Sequence, residues 1–277
     1  MGLSMSTFYY QPTVSREERE RQDADLRGQV ELIQATHCRS GYRTMQQYLG
    51  RAGIRVGERK LRRVMKKYDL HARIRRAFVR TTDSEHNHRV YPNLLPGRTV
   101  MGLNEVWTAD ITYVRIGNGF VYLAIILDLY SRRVIGWNIS KRIDGDLATG
   151  ALEIAISRRN PKPGCIHHSD RGVQYLCEKY VALLEKHEFW ISNSAKGNPY
   201  DNAWTESFMK TLKQDEVYLA NYETYLEVIE NLPRFIEEVY NAKRVHSGIG
   251  YLTPNELEER VRKDPSNPDN RRFDLPL

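Results

Sequence analysis

Three acidic residues lie in segments that could bring them together for phosphoryl chemistry. Asp110 sits in WTADITY (residues 107–113), Asp170 in HSDRGVQY (168–175) and Glu206 in NAWTESFMKTLK (202–213). An ionised carboxylate at the mouth of an apolar strand is costly to desolvate unless something pairs with it. CIHHSDRG puts Asp170 in that position. Its partner could be a base, a second carboxylate sharing a proton, or a metal. Three converging carboxylates repel, and without a counter-charge at least one takes up a proton. A divalent cation removes the conflict. Hard oxygen ligands with no need for Cys or His favour Mg²⁺ or Mn²⁺ over zinc. Two such ions roughly 4 Å apart would clamp the attacking and leaving oxygens of an in-line transfer. Spacing alone does not select this triplet from 35 acidic residues.

The elements that must position these groups are legible from periodicity. Residues 106–114 alternate apolar and polar and read as a strand, with Thr108 and Thr112 on the face of Asp110. Gly117-Asn118-Gly119 is a hairpin signal. Residues 120–128, FVYLAIILD, form a continuous β run, expected to be a central strand buried on both faces. A third strand covers 133–139. Then follow a helix (146–159), a strand (165–168), a helix (174–187), a strand (189–192) and a helix (202–214). This order, β-β-β-α-β-α-β-α, predicts a mixed five-stranded sheet with flanking helices. Functional groups of such sheets gather at strand ends and the adjacent helix starts. Beyond 222 two more helical segments are expected, broken at Pro233 and Pro254, then a loose polar tail from Pro265 to Phe273.

The front of the chain differs in charge. Residues 1–100 hold 20 Lys and Arg against 10 Asp and Glu, whereas the rest holds 22 against 25. A helix is expected over 15–33, a second begins at Ser40-Gly41 and is broken by Gly50 and Gly53, and a third covers 56–68. The third places Leu61, Val64, Met65 and Tyr68 on one face and Arg59, Lys60, Arg62, Arg63, Lys66 and Lys67 on the other. Two short helices about a Gly-containing turn, the second strongly basic, read as a helix-turn-helix for DNA; a plain helical hairpin with a solvated face is the alternative. The expected organisation is a helical DNA-binding region (1–80), a linker (81–104) rich in Pro and Gly, an α/β core (105–220) and a C-terminal helical extension with its tail (221–277).

No apolar run approaches the ~18 residues of a membrane span, and no secretory signal is visible. Cys38, Cys165 and Cys177 are odd in number and scattered. That suggests free thiols in a reducing compartment, the cytoplasm by default.

The motifs resemble the DDE transposases of bacterial insertion sequences with a retroviral-integrase-like core. They are closest to the second-frame product of the group encoded in two overlapping reading frames. WTADITY matches the first Asp motif, HSDRGVQY the second, and SAKGNPYDNAWTESFMKTLK (194–213) the Glu motif. Thirty-five residues separate Asp170 from Glu206, and Lys213 follows Glu206 by seven. GYR (41–43) with VGERKLRRVM (56–65) resembles the group's helix-turn-helix, and YNAKRVHSGIGYLTP (240–254) the segment after its core. The resemblance spans about residues 20–258.

It implies a ribonuclease H-like core and a polynucleotidyl transferase using Mg²⁺, replaceable by Mn²⁺, with two ions held by Asp110, Asp170 and Glu206. The implied reaction is cleavage freeing a 3′-OH, then strand transfer. Partners implied are double-stranded DNA (element ends and target), at least one more copy of the chain, and the first-frame protein as fusion or partner. The location is the bacterial cytoplasm, on the nucleoid. Around the triad, Lys213, Asn202, Lys196, Arg244 and His246 are candidate DNA contacts. Zinc at Cys165, His167, His168 and Cys177 is disfavoured because strand alternation points the two imidazoles to opposite faces. Asp128 and Asp144 are rival acids, Asp128 read as a structural ion pair. The four tryptophans read as core or interface residues. A DNA-binding regulator with a dead core and a plain nuclease of the same fold remain as other functions.

Overall fold

The computed structural model describes residues 15–37, 40–70, 89–195, 202–264, 267 and 273–275. The chain divides into two compact units, residues 1–74 and 75–277.

In the first unit, α1 (Arg16–Thr36), α2 (Tyr42–Arg51) and α3 (Glu58–Lys67) pack around Leu26, Val30, Met45, Leu49, Leu61, Val64 and Met65. Ser15 caps α1 by accepting the Glu18 N–H at 3.1 Å. Gly50 lies inside α2 rather than ending it; the break comes at Gly53, whose φ of 79° is cheap for glycine. The basic face of α3 is split. Arg63 and Lys67 reach the buried Asp23 of α1 at 2.7 and 3.5 Å, and Lys60 bonds Gln22 at 3.3 Å. Arg59, Arg62 and Lys66 lie on the exposed stripe.

The second unit is built on a five-stranded sheet: β2 (Val106–Ile116), β3 (Gly119–Asp128), β4 (Val134–Ser140), β5 (Ile166–Ser169) and β6 (Trp190–Asn193). The strand order is β4-β3-β2-β5-β6, antiparallel among the first three and parallel from β2 to β6. With the helices on its faces this is the ribonuclease H-like arrangement expected above. A separate short strand, β1 (Thr99–Val100), pairs with β7 (Phe273–Asp274). The tail expected to be loose is thus held at its end, with Leu275 buried; most of residues 265–272 fall outside the described set.

β3 is buried from Leu123 onward, as a continuous apolar run requires. One face of the sheet packs Trp107, Ala109 and Ile126 on α4 (Gly145–Arg159) and α6 (Glu178–Lys186). Ala151 and Ala155 let α4 approach so closely that a Cβ on Gly136 would strike the Ala151 carbonyl. The other face packs Leu123, Ile125 and Leu127 on α7 (Ala203–Leu212) and α8 (Tyr225–Arg234). The C-terminal helices therefore complete the core of the sheet.

Three elements differ from the periodicity reading. The helix expected over 174–187 is two, α5 (Val173–Leu176) and α6, meeting at Cys177 in extended backbone. α7 does not end at Gln214 but widens into a π-helical stretch, Lys213–Val217. Pro233 does not break its helix. It lies inside α8, which widens directly afterwards into π-helical Phe235–Asn241, where the ladder is already reorganised. Pro254 instead opens α9 (Pro254–Lys263), with a Thr253/Glu256 capping box.

Asp128 is buried, but backbone donors satisfy it rather than an ion pair. It accepts from the N–H groups of Asn104 (2.7 Å), Tyr130 (3.0 Å) and Ser131 (2.9 Å). The buried charge pairing lies at Glu258 of α9, which meets Arg159, Arg133 at 3.1 Å, Arg262 at 3.0 Å and Ser131 at 2.9 Å. Burial alone would raise this carboxyl; hydrogen bonds and charge from Arg159, then the charge of Arg133, hold it below its ordinary value. Glu258→Gln is expected to destabilise the protein by about 3 kcal/mol, because it leaves buried guanidinium charge uncompensated. A urea midpoint unchanged by this substitution would exclude such a role for Glu258.

Candidate active site

Register brings the first two carboxylates together. β2 and β5 run parallel with Val106, Trp107 and Thr108 opposite Ile166, His167 and His168, a constant offset of sixty residues. Continued by two residues, the same offset sets Asp170, just past β5, beside Asp110. Neighbouring strands lie about 4.8 Å apart, and residues of equal parity share a face. Asp170 is held by the Gly172 N–H on its Oδ1 at 2.9 Å, and its carbonyl accepts from Asn193 Nδ2 at 3.3 Å. Asp110 Oδ1 accepts from the Ile111 N–H at 2.8 Å.

Glu206 comes from the first turn of α7. That helix is tied to the Asp110 face of β2 by buried Thr205, whose hydroxyl donates to Thr108 Oγ1 at 2.7 Å. Asn202 Nδ2 donates to the Ala109 carbonyl at 3.3 Å. The alternation that placed Thr108 and Asp110 on one face thus also fixes where the third acid arrives.

The electrostatics follow from this convergence. Asp110 keeps part of its side chain accessible, yet its carboxyl is pushed up to about 8. Desolvation is the main cause and the charge of Asp170 the next; Glu206 adds to it, while the Ile111 N–H and Lys213 oppose it. Partial burial also raises Glu206. Lys213 stands at the end of α7 with Nζ 4.0 Å from the Tyr113 ring centroid; burial lowers its pKa and the charge of Asp110 raises it.

A hard divalent cation fits this donor set. Asp170 and Glu206 raise the proton affinity of Asp110, all the acids' donors are oxygen, and Asn202 Oδ1 is a further buried oxygen with no hydrogen-bond donor among the described residues. Asp110 and Asp170 are the side-by-side pair. As placed, no three His, Cys, Asp or Glu side chains among the described residues stand close enough together to hold one metal ion.

The remaining candidates divide. Lys196 lies outside the described residues. Asn202 faces the sheet through its amide. Arg244 is ion-paired with Asp215, which lies in the π-helical stretch after Lys213. His246 packs edge-on against Tyr240 at 4.8 Å, and burial with the charges of Arg244 and Arg132 lowers its pKa to about 3. A neutral imidazole of this kind does not supply a cation for phosphate. His167 and His168 bond different partners, Tyr180 and Ser192, each at 2.8 Å. Cys165 and Cys177 are free thiols, and Cys38 lies outside the described residues. Trp107 is core, but Trp190 is exposed.

Sequence reasoning missed Tyr175. Its ring is buried and its hydroxyl has no partner among the described residues. Desolvation, then the charges of Asp110 and Asp170, raise its pKa. Only its place in HSDRGVQY signalled proximity, since no periodicity rule reports which way a residue after a turn points. The π-helical turn at Lys213 left no sequence signal either.

The chain is similar to known proteins along most of its length. Two integrase core domain models match residues 102–199 and 188–254, and an HTH-like domain model matches residues 20–78. An insertion element IS600 protein of 31 kDa from Shigella sonnei, described as uncharacterized, is 37% identical over 264 residues, 94% of this chain and 96% of its own length. Transposase InsF for insertion sequence IS3A from Escherichia coli (strain K12) is 38% identical over 197 residues, 71% of this chain and 68% of its own. Among solved structures, the HTLV-2 integrase catalytic core domain in complex with magnesium gives a TM-score of 0.40 at 20% identity, covering 58% of this chain and 96% of that one. Among the described residues no helix is long and apolar enough to cross a membrane.

Asp110 titrates near 8 when folded and near 4 when unfolded. Between those values the metal-free folded state binds more protons, so this group's contribution to stability falls as pH rises. Chelator-treated wild type is expected to lose melting temperature relative to Asp110→Asn as pH goes from 5 to 8.5. Parallel curves for the two proteins would show that Asp110 is not perturbed.

Proposed function

The chain belongs to the transposases of bacterial insertion sequences that carry an integrase core, and on that premise we propose that Asp110, Asp170 and Glu206 are its catalytic, metal-holding triad. The observation that carries this reading is the parallel register of β2 and β5, which ends two residues before Asp110 and Asp170 and leads to both at the same offset, together with the charges of Asp170, Glu206 and Lys213 acting on Asp110.

When bound, two Mg²⁺ ions, replaceable by Mn²⁺, supply Lewis-acid polarisation of the phosphodiester and make water a competent nucleophile near neutral pH. The protein's part is to prepare the place. Asp110 would hold the cations as a carboxylate, so its raised proton affinity would be overcome on loading. Asp170, braced by Gly172 and Asn193, supplies the second carboxylate. Glu206 would supply the third carboxylate if the first turn of α7 moved toward the pair on loading; unliganded sites are commonly looser than loaded ones. Lys213 holds a DNA phosphate beside them. Asn202 keeps α7 against β2, and its Oδ1 accepts from water or DNA. Arg244 and His246 act indirectly, Arg244 bracing the π-helical turn that follows Lys213 through Asp215, and His246 packing on Tyr240 of the second π-helical segment.

In the first reaction the oxygen of water bonds to phosphorus at the element end and the 3′ oxygen leaves. In the second that 3′-OH attacks a target phosphodiester, one P–O bond forming as another breaks. No covalent enzyme intermediate is needed. Two element ends require at least two copies of the chain, and the first-frame protein acts as fusion or partner.

Labelled element-end DNA with Mg²⁺ or Mn²⁺, with and without the first-frame protein, tests the triad. Asp110→Asn, Asp170→Asn and Glu206→Gln are each expected to lower joining by at least roughly a hundredfold. A variant that still joins ends at the wild-type rate removes its residue from the triad. In the first unit, neutralising Arg59 or Lys66 is expected to reduce the salt slope of DNA binding by about one each. Neutralising Arg63 or Lys67 should instead lower the unit's stability, since these two hold Asp23. Equal effects of all four on binding would show that the face acts as a whole.

A further inference from the structure

A second basic site lies at the edge of the sheet. Beyond β4, where helices from both faces meet, is a cavity of about 320 Å³ lined by Arg133, Ile135, Arg158, Arg159, Glu237 and Arg262. Arg159 is the deepest of the four arginines, with 8% of its side chain exposed, and Arg262 the most open at 61%. They face two acids. Glu258 takes Arg159, Arg133 and Arg262; Glu237 takes Arg158 at 2.7 Å and Arg133 at 3.9 Å. The Arg158 guanidinium also lies 4.1 Å from the Trp137 ring centroid, which fixes its plane.

This cluster carries four guanidinium groups against two carboxylates, an excess of two positive charges in a concave site. Each guanidinium has five N–H donors, so the donors greatly outnumber the four carboxylate oxygens. Planar, pre-oriented guanidinium groups match phosphate oxygens two at a time.

The site is separate from the carboxylates. Asp110 pairs with Ile125, and Ile125 with Trp137, so β4 lies two strand spacings from β2, and Arg133 is four residues further along. Standard strand spacing puts the backbones of Arg133 and Asp110 roughly 15 Å apart. A duplex carries one charge per ~1.7 Å of its axis, so DNA engaged at the carboxylates has phosphates at that range.

We propose that this arginine pocket is a phosphate-binding site that takes a backbone phosphate of DNA away from the reacting bond. The choice of DNA over a free phosphate rests on the transposase reading; the pocket's preference for phosphate does not.

The test uses the full chain without divalent metal, so its outcome is independent of the triad. Duplex DNA is titrated at several salt concentrations against wild type and the Arg158→Gln/Arg262→Gln double variant, whose changes fall on the two most exposed arginines. In parallel, inorganic phosphate is added to wild type and its melting temperature compared with chloride at equal ionic strength, a reading that needs no variant. The expected result is protection by phosphate in wild type and a salt slope lower by about one to two in the variant. Protection without a change in slope would overturn the DNA assignment in favour of a free phosphate. No protection by phosphate would overturn the site itself.

Discussion

Two carboxyl groups that the pairing of β2 with β5 brings together govern the second unit. Asp110 and Asp170 stand side by side because β2 and β5 pair with a fixed offset, and the cost appears as the raised proton affinity of Asp110. Neither desolvation nor a neighbouring carboxylate is tolerated without compensation. Much of the surrounding architecture keeps that costly pair in place. α7 is fastened to the same face through Thr205 and Asn202, Lys213 opposes the rise at Asp110, and the buried Tyr175 lies within reach of the charges of Asp110 and Asp170. Stability alone gives no reason to collect these groups; the proposed triad does.

The rest of the unit keeps the strands rigid enough for the pair to persist. The sheet is covered on both faces, with α4 set close by Gly136 and the alanines of its inner face. The second face is closed by α7, α8 and the π-helical segment after it, so the C-terminal helices serve the site as well as the core. Asp128 and Glu258 show two ways of giving a buried acid donors: backbone N–H groups, which only partly offset the rise that burial causes at Asp128, and guanidinium groups, which hold Glu258 below its ordinary value. Asp110 has a single backbone N–H and a distant lysine, which leaves it available for a metal.

Much of this was legible in the amino-acid sequence because strand alternation and helix periodicity are local. Thr108, Asp110 and Thr112 read as one face, FVYLAIILD as a buried strand, and the order of elements as a mixed sheet. What depends on distant partners was not legible. The basic face of α3 looks uniform in sequence, but Asp23, forty and more residues upstream, claims Arg63 and Lys67. Arg244 and His246 look like DNA contacts until Asp215 and Tyr240 are seen against them. The π-helical widenings after Leu212 and Arg234 are set by packing, which no propensity reports. Of the site itself, the triad was named from motifs and spacing; that Asp110 would be the member carrying the raised pKa follows only from its burial in three dimensions.

The most direct measurement is a metal-specificity switch at the carboxylate pair. Asp170→Cys replaces a hard oxygen donor by a thiolate, which Mg²⁺ binds poorly and softer ions accept more readily. End joining by this variant should be lost in Mg²⁺ and partly restored in Mn²⁺, while the wild type works in both. Wild-type joining by the variant in Mg²⁺ would contradict a metal at Asp170, and with it the account of why the two strands carry their acids in register.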